Sequence, residues 1–350
     1  MISLLKSPWR LTFVVIIVSY AMPRIAHAGP VHCRGMVQIP AGPFAMGDSQ
    51  GHGGLDERPA HTVHVSAFAM DRCEVTNAEM SDMLQWAMSK RLVVFNSNGV
   101  FNAAGDSRLL LDIHDWNSEI AFADGRFVVT EGREDYPCIE VTWHGAMAYC
   151  NFRSMREGVP ISIDFNYWMC VFDRPGYRLP TEAEWEKAAR GGLVGHVFPW
   201  PGEHENYHES FKPGLANAWK SGDPNEGVAG YTYTTPVGYY HAASNPRVGI
   251  YTNGYGLYDM AGNVEEWCWD LYDNAWYRED QASGRDCSGP VSGSGRVVRG
   301  GSWLSGQKRE MKKAPKYTWR YGLRVAARES REAERGQHFR GFRCVRTVKE

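Results

Sequence analysis

The sequence has no excess of charge of either sign: among 350 residues, 38 Lys and Arg stand against 40 Asp and Glu. A dedicated nucleic-acid binder is normally clearly basic, so that class of partner is not expected. There is no Pro/Ser/Gly linker, no low-complexity tract and no repeat of fixed period, which argues against a string of small domains and against a solenoid. No three-histidine cluster with helical spacing occurs, and His61 and His64, three apart on a strand, point to opposite faces. At 22% charged and 43% hydrophobic the composition is neither that of a disordered chain nor that of a membrane bundle. What is plentiful is 13 Trp, 37 Gly and 8 Cys. Large aromatics beside many glycines predict a core made from loops and short strands.

The amino terminus sets the compartment. Lys6 and Arg10 precede an apolar stretch from Leu11 to Met22, and Ala26-His27-Ala28 supplies a small-x-small cleavage site. That run is short for a bilayer span, which needs about 20 residues, and no second run of spanning length follows. Residues 1–28 are therefore expected to be a secretion signal peptide and residues 29–350 one domain. Its removal takes the formal charge from −2 to −5, because the segment holds three basic side chains and no acid. A periplasmic or extracellular location follows, with no stable membrane span and with disulfides permitted.

Three helices have proper starts. Thr76-Asn-Ala-Glu79 and Thr181-Glu-Ala-Glu184 are capping boxes, and a third helix is predicted from about His144 to Arg156. Short strands are predicted over His61–Phe68, Arg126–Thr130, Arg296–Arg299 and Gly341–Arg346, with turn dipeptides such as Asn98-Gly99 and Asp124-Gly125 between. The fold class is α+β, loop-rich, with few helices.

Seven strings then occur in a set order. Gly35-Met-Val-Gln-Ile-Pro-Ala-Gly-Pro-Phe-Ala-Met-Gly47 is followed by Glu74-Val-Thr-Asn77, Val141-Thr-Trp-His-Gly-Ala-Met-Ala-Tyr-Cys150 and Tyr177-Arg-Leu-Pro-Thr-Glu-Ala-Glu-Trp-Glu186. Asn253-Gly-Tyr-Gly-Leu-Tyr-Asp-Met-Ala-Gly-Asn-Val-Glu-Glu-Trp267 and Arg299-Gly-Gly-Ser-Trp303 come next, before a terminal Gly341-Phe-Arg-Cys344. Together, over residues 35–346, they resemble the sulfatase-modifying factor family, founded by the formylglycine-generating enzyme. The resemblance implies one domain with a C-type-lectin-like core and little regular secondary structure. In the founding enzymes, copper held by two cysteines activates oxygen to convert a substrate cysteine to formylglycine.

This chain departs from that pattern at the metal. Ser305 stands where the first copper cysteine would be, Glu310 stands at the second, and no cysteine lies between Cys287 and Cys344. A hydroxyl is a poor Cu(I) ligand, so copper and formylglycine chemistry by the founding mechanism are not expected. The resemblance also implies a Cys150–Cys344 disulfide, and a calcium site with side-chain oxygens from Asp259 and Glu266 and carbonyls from Gly262 and Val264. Cys268 and Cys287 flank a loop and are a weaker candidate pair, while Cys33, Cys73, Cys138 and Cys170 cannot be paired from sequence.

Residues 92–136 and 304–323 read as insertions. The second carries Lys308, Arg309, Lys312 and Lys313, a basic rim suited to an acidic peptide, a glycan sulfate or a phosphate, or simply a solvated loop. Glu265 replaces a tryptophan common in relatives, which would change the polarity of a cleft wall if the position lines the cleft. The expected function is an exported formylglycine-generating-enzyme-like domain without the copper mechanism. It would bind an exported protein, peptide or glycan, or catalyse an unidentified reaction. An oxidase with a different constellation and a lectin-like receptor are the alternatives.

Overall fold

The structure is a computed structural model that describes residues 33–200, 215–219, 234–240, 252–306 and 321–348. The expected signal peptide, Lys308, Arg309, Lys312, Lys313 and Glu310 lie outside the described residues, as does most of the 304–323 insertion.

Capping chemistry sets the helices. Thr76 takes the Glu79 N–H while Glu79 reaches back to Thr76, opening α1 (Asn77–Ser89). Thr142 caps α2 (Trp143–Glu157), which stops at Gly158 in the left-handed region. The Thr181/Glu184 box opens α3 (Glu182–Arg190), closed by Gly191 at φ 57°. Among the described residues no helix is long and apolar enough to cross a membrane.

The strands are short. The first four are β1 (Met36–Ile39), β2 (Gly42–Met46), β3 (His61–Val65) and β4 (Phe68–Asp71). Residues 92–136 form strands and turns as expected: β5 (Val93–Asn96), β6 (Gly99–Asn102), β7 (Leu109–Leu111), β8 (Ile120–Ala123) and β9 (Arg126–Val129). β10 (Ile163–Asp164), β11 (Met169–Cys170) and β12 (Tyr177–Arg178) precede α3. Beyond it lie β13 (Glu265–Leu271), β14 (Arg296–Arg299), β15 (Arg328–Arg331), β16 (Arg340–Gly341) and β17 (Val345–Thr347).

Two four-stranded sheets organise the body, ordered β1-β4-β17-β12 and β15-β14-β13-β16. The single strand predicted over Gly341–Arg346 is instead two, one in each sheet. The chain changes sheet at Phe342-Arg343, where the Phe342 carbonyl takes the Val75 N–H and the buried Arg343 turns onto Glu266. The predicted His61–Phe68 strand likewise ends at Val65, and Phe68 begins β4.

The tryptophans knit these layers. Trp143, Trp185 and Trp267 are fully buried, and each indole N–H is satisfied: by the Cys268 carbonyl, Glu266 and the Val141 carbonyl. Ion pairs complete the core. Arg299 on β14 is 1% exposed and donates to Glu182, to Glu186 and to the Val325 and Ala326 carbonyls. Removing that guanidinium leaves the Glu182 and Glu186 carboxylates of α3 short of a buried cation. Arg299→Leu is therefore expected to cost about 3–5 kcal/mol of stability. Urea denaturation measures it, and a loss under about 1 kcal/mol would show the cluster to be dispensable.

Candidate functional site

The sheet β15-β14-β13-β16 and the Gly300-Gly301-Ser302 loop enclose a cavity of about 660 Å³. Glu265, the first residue of β13, lines it. Arg331 grips Glu265 through Nε and Nη2, both at 2.9 Å, and Arg340 Nε adds a third bond at 2.6 Å. Burial would push the Glu265 carboxyl up, but Arg340 and Arg331 outweigh it and hold the group below its ordinary range. Arg331 also pairs with Glu329 at 2.6 Å. The tryptophan-to-glutamate change noted in the sequence thus does alter this wall: an ion-paired cluster stands there. Farther round, His338 packs edge-on to Phe339 and lies 5.7 Å from the Trp303 ring.

The glycines of the loop are needed for close approach. A Cβ on Gly301, at φ 66°, would lie 2.6 Å from Ser305 Oγ and 2.8 Å from the Gly322 backbone. Ser305 is buried; its hydroxyl accepts the Ser302 N–H at 3.0 Å. Around this hydroxyl the donor set is oxygen and backbone nitrogen, and no cysteine lines the cavity among the described residues. The residues present do not fit Cu(I), which takes soft sulfur ligands.

The two carboxylates of the expected calcium set have different partners. Glu266 is gripped by Arg343 Nε and Nη2 at 2.8 and 2.6 Å and takes the Trp185 indole N–H at 2.8 Å, so a guanidinium already neutralises it. Asp259 instead meets Glu74. Asp259 accepts the Gly238 N–H at 2.6 Å, and Glu74 accepts from Asn263 Nδ2 at 3.1 Å. Burial raises both carboxyls; Asp259 raises Glu74 further, while the hydrogen bond with Glu74 pulls Asp259 back down. Two buried carboxyls with raised pKa favour the protonated form.

The structure places Cys150 and Cys344 side by side and fully buried, with sulfurs 3.6 Å apart as thiols. The disulfide it contains is Cys33–Cys73. Cys268 and Cys287 are separate thiols. The Cys33–Cys73 bridge has a signal in strand pairing: Met36 faces Asp71 across β1 and β4, so Cys33 and Cys73 flank the same ladder.

Residues 23–348 match the sulfatase-modifying factor enzyme 1-like domain. The chain belongs to this family. The formylglycine-generating enzyme of Streptomyces coelicolor is 33% identical over 336 residues, covering 91% of each chain. The serine/threonine-protein kinase pkn1 of Chlamydia caviae is 30% identical over 314 residues, covering 90% of this chain but 38% of the kinase. Among solved structures, Treponema denticola variable protein 1 superposes with a TM-score of 0.57 at 24% identity, over 89% of this chain and 94% of that one, and speaks to the fold alone. Sulfatase-modifying factor domains therefore occur both as whole enzymes and as parts of larger proteins.

One residue of this domain carries no sequence signal. Glu140 has φ 57°, is 4% exposed, and is backed by Gly336, where a Cβ would meet its carbonyl at 2.2 Å. Burial, with Asp115 and Asp112 nearby, lifts its carboxyl to about 8, against the pull of Arg340. The folded protein thus keeps a proton that the unfolded chain loses near 4.5. This contribution to stability is complete below that value and is lost as pH rises towards 8. Glu140→Gln should therefore melt above the parent at pH 8, with the difference closing by pH 5 in thermal scans. A difference independent of pH would refute the assignment.

Proposed function

We propose that this chain is an exported, ligand-binding member of the sulfatase-modifying factor family that does not use the copper-thiolate oxidase chemistry. The observation that carries this reading is the cavity itself. A buried serine hydroxyl bonded to backbone sits where a copper thiolate would stand, and the facing wall is the Glu265–Arg331–Arg340 cluster. Neither group supplies a redox centre or an activated nucleophile: among the described residues the hydroxyl has no hydrogen-bonded base beside it, and the carboxylate is neutralised on two sides. What the cavity offers is shape, charge pairs and an aromatic flank, the attributes of a recognition site. Export is supported by the signal-peptide pattern and agrees with the Cys33–Cys73 disulfide. The occupant is a peptide, exported protein or glycan, with acidic groups favoured by the basic residues 308–313.

Calcium has a place in this reading as a structural ion. Asp259 and Glu74 would hold it, with Gly262 and Val264 as carbonyl donors, and it would replace the proton between the two buried acids. On that basis millimolar calcium should raise the melting temperature at pH 7, and Glu74→Gln should abolish the rise. No calcium-dependent shift after EDTA treatment would remove the ion from the account.

The chemical half of the proposal is tested with a Cys-x-Pro-x-Arg peptide, incubated aerobically with and without copper. No aldehyde is expected by mass spectrometry in either case. Formylglycine formation that survives Ser305→Ala and replacement of every cysteine would overturn the reading and point to an unrelated oxidase constellation.

A further inference from the structure

We infer that the Cys33–Cys73 disulfide is a redox-controlled staple that holds the Glu74–Asp259 acid pair in place. A dithiol entering from the Cys33 side opens it and loosens the pair. The calcium readout used below rests on the reading given above; the staple itself does not.

The first observation is a convergence of three chain segments. Cys73, Val237 and Tyr258 form a small apolar cluster of their own, each at most 6% exposed, with Cys33 packed against it. The residue that follows each of them contributes to the acid pair: Glu74, Gly238 and Asp259. Gly238 donates its N–H to Asp259 Oδ2 at 2.6 Å, and Asn263 Nδ2 donates to Glu74 Oε1 at 3.1 Å. Glu74 Oε2 is buried and meets no N–H or hydroxyl donor. Few hydrogen bonds therefore set one carboxyl against the other, and the packing one residue back does the rest.

The second observation is mechanical. The bridge joins residues 40 apart in sequence, just before β1 and just after β4. Opening it takes the two sulfurs from covalent to van der Waals separation, about 1.5 Å farther apart. Cys73 is 4% exposed, so on its side the displacement falls on Val237 and Tyr258. A close-packed interior passes such a shift on rather than absorbing it. One residue farther along those two segments lie the N–H and the carboxylate whose 2.6 Å bond orients Asp259.

The third observation is access. Cys33 is half-buried, and both cysteines line a cleft of about 160 Å³ that Glu74 also lines. A reductant thiolate in that cleft attacks Cys33 Sγ and forms a mixed disulfide, while Cys73 leaves as a thiolate and takes up a proton. The second thiol of the reductant then displaces Cys33. The dithiol departs as a disulfide, two electrons poorer, and both cysteines are left as thiols.

The test compares the whole secreted chain, oxidised and after dithiothreitol treatment under native conditions, with alkylation and peptide mapping to follow the thiols freed at Cys33 and Cys73. Hydrogen exchange at the Gly238 N–H, read by NMR, should speed up at least tenfold on reduction, while the amides of α3 stay as they were. The paired variant Cys33→Ala/Cys73→Ala should exchange like the reduced chain whether or not reductant is present, which separates this bridge from the other cysteines. In thermal scans, reduction should raise the calcium concentration needed for half the stabilising effect at least fivefold. A bridge that stays closed until the chain unfolds would overturn the inference, and so would equal Gly238 exchange in the two states. If calcium has no effect on the oxidised chain while Gly238 still responds, the calcium reading falls and the staple stands.

Discussion

Buried arginine–carboxylate pairs are the constraint on which the rest of this structure depends. Among the described residues, strands of two to seven residues and three modest α-helices offer few backbone ladders to join distant parts of the chain. The joining is done by guanidinium forks. Arg324 closes on Glu57 across 267 residues, Arg328 on Glu182 across 146, and Arg343 on Glu266 across 77. Each of these six side chains is at most 3% exposed. Removing such charges from water is costly, and the cost is offset only when both oxygens and several N–H groups find partners at once. Arginine meets that condition where lysine would not, because its five donors lie in a fixed plane matching a carboxylate. A misplaced loop would leave an unpaired buried charge, so the network selects one arrangement of many loops.

The cavity hangs from this network. Arg328 is locked against Glu182 by two bonds of 2.6 and 2.7 Å, which fixes the start of β15. Three residues on, Arg331 is locked against Glu265 at the start of β13. With both ends pinned to opposite faces, β15 is held stiffly alongside β14. The charges also guard the edge: a four-residue strand carrying three ionised side chains is a poor template for self-association.

Much of this was legible in the sequence, and the reason is local chemistry. Thr76, Glu79, Thr181 and Glu184 name their helices because capping needs only four consecutive residues. The glycine and tryptophan strings identify the fold because each close approach demands a particular residue. Glu265 was visible as a departure, although its partners Arg331 and Arg340 were not. What stayed hidden depends on long-range geometry. The break of Gly341–Arg346 into two strands arises from the pull of Glu266 on Arg343, 77 residues away. Cys33 and Cys73 meet because β1 and β4 pair. Glu140 has no motif at all: its close backbone contact is with Gly336, and its lowered acidity comes from burial together with Asp115 and Asp112.

The Gly-Gly-Ser-aromatic motif shows why a kept motif need not mean kept chemistry. Gly300 packs on the Trp185 ring, where a Cβ would come within 3.1 Å, and Gly301 packs on Gly322 and Ser305. Ser302 ties the turn through its N–H to Ser305 and through its hydroxyl to the Leu304 N–H. Every residue of the motif is thus accounted for by packing against the core. None of those contacts requires sulfur at position 305, since a serine oxygen accepts the Ser302 N–H directly. The scaffold and the metal site are physically separable here: the first is held by glycine space and arginine forks, whereas a copper site would need two thiolates, and at position 305 the fold asks for a hydrogen-bond acceptor.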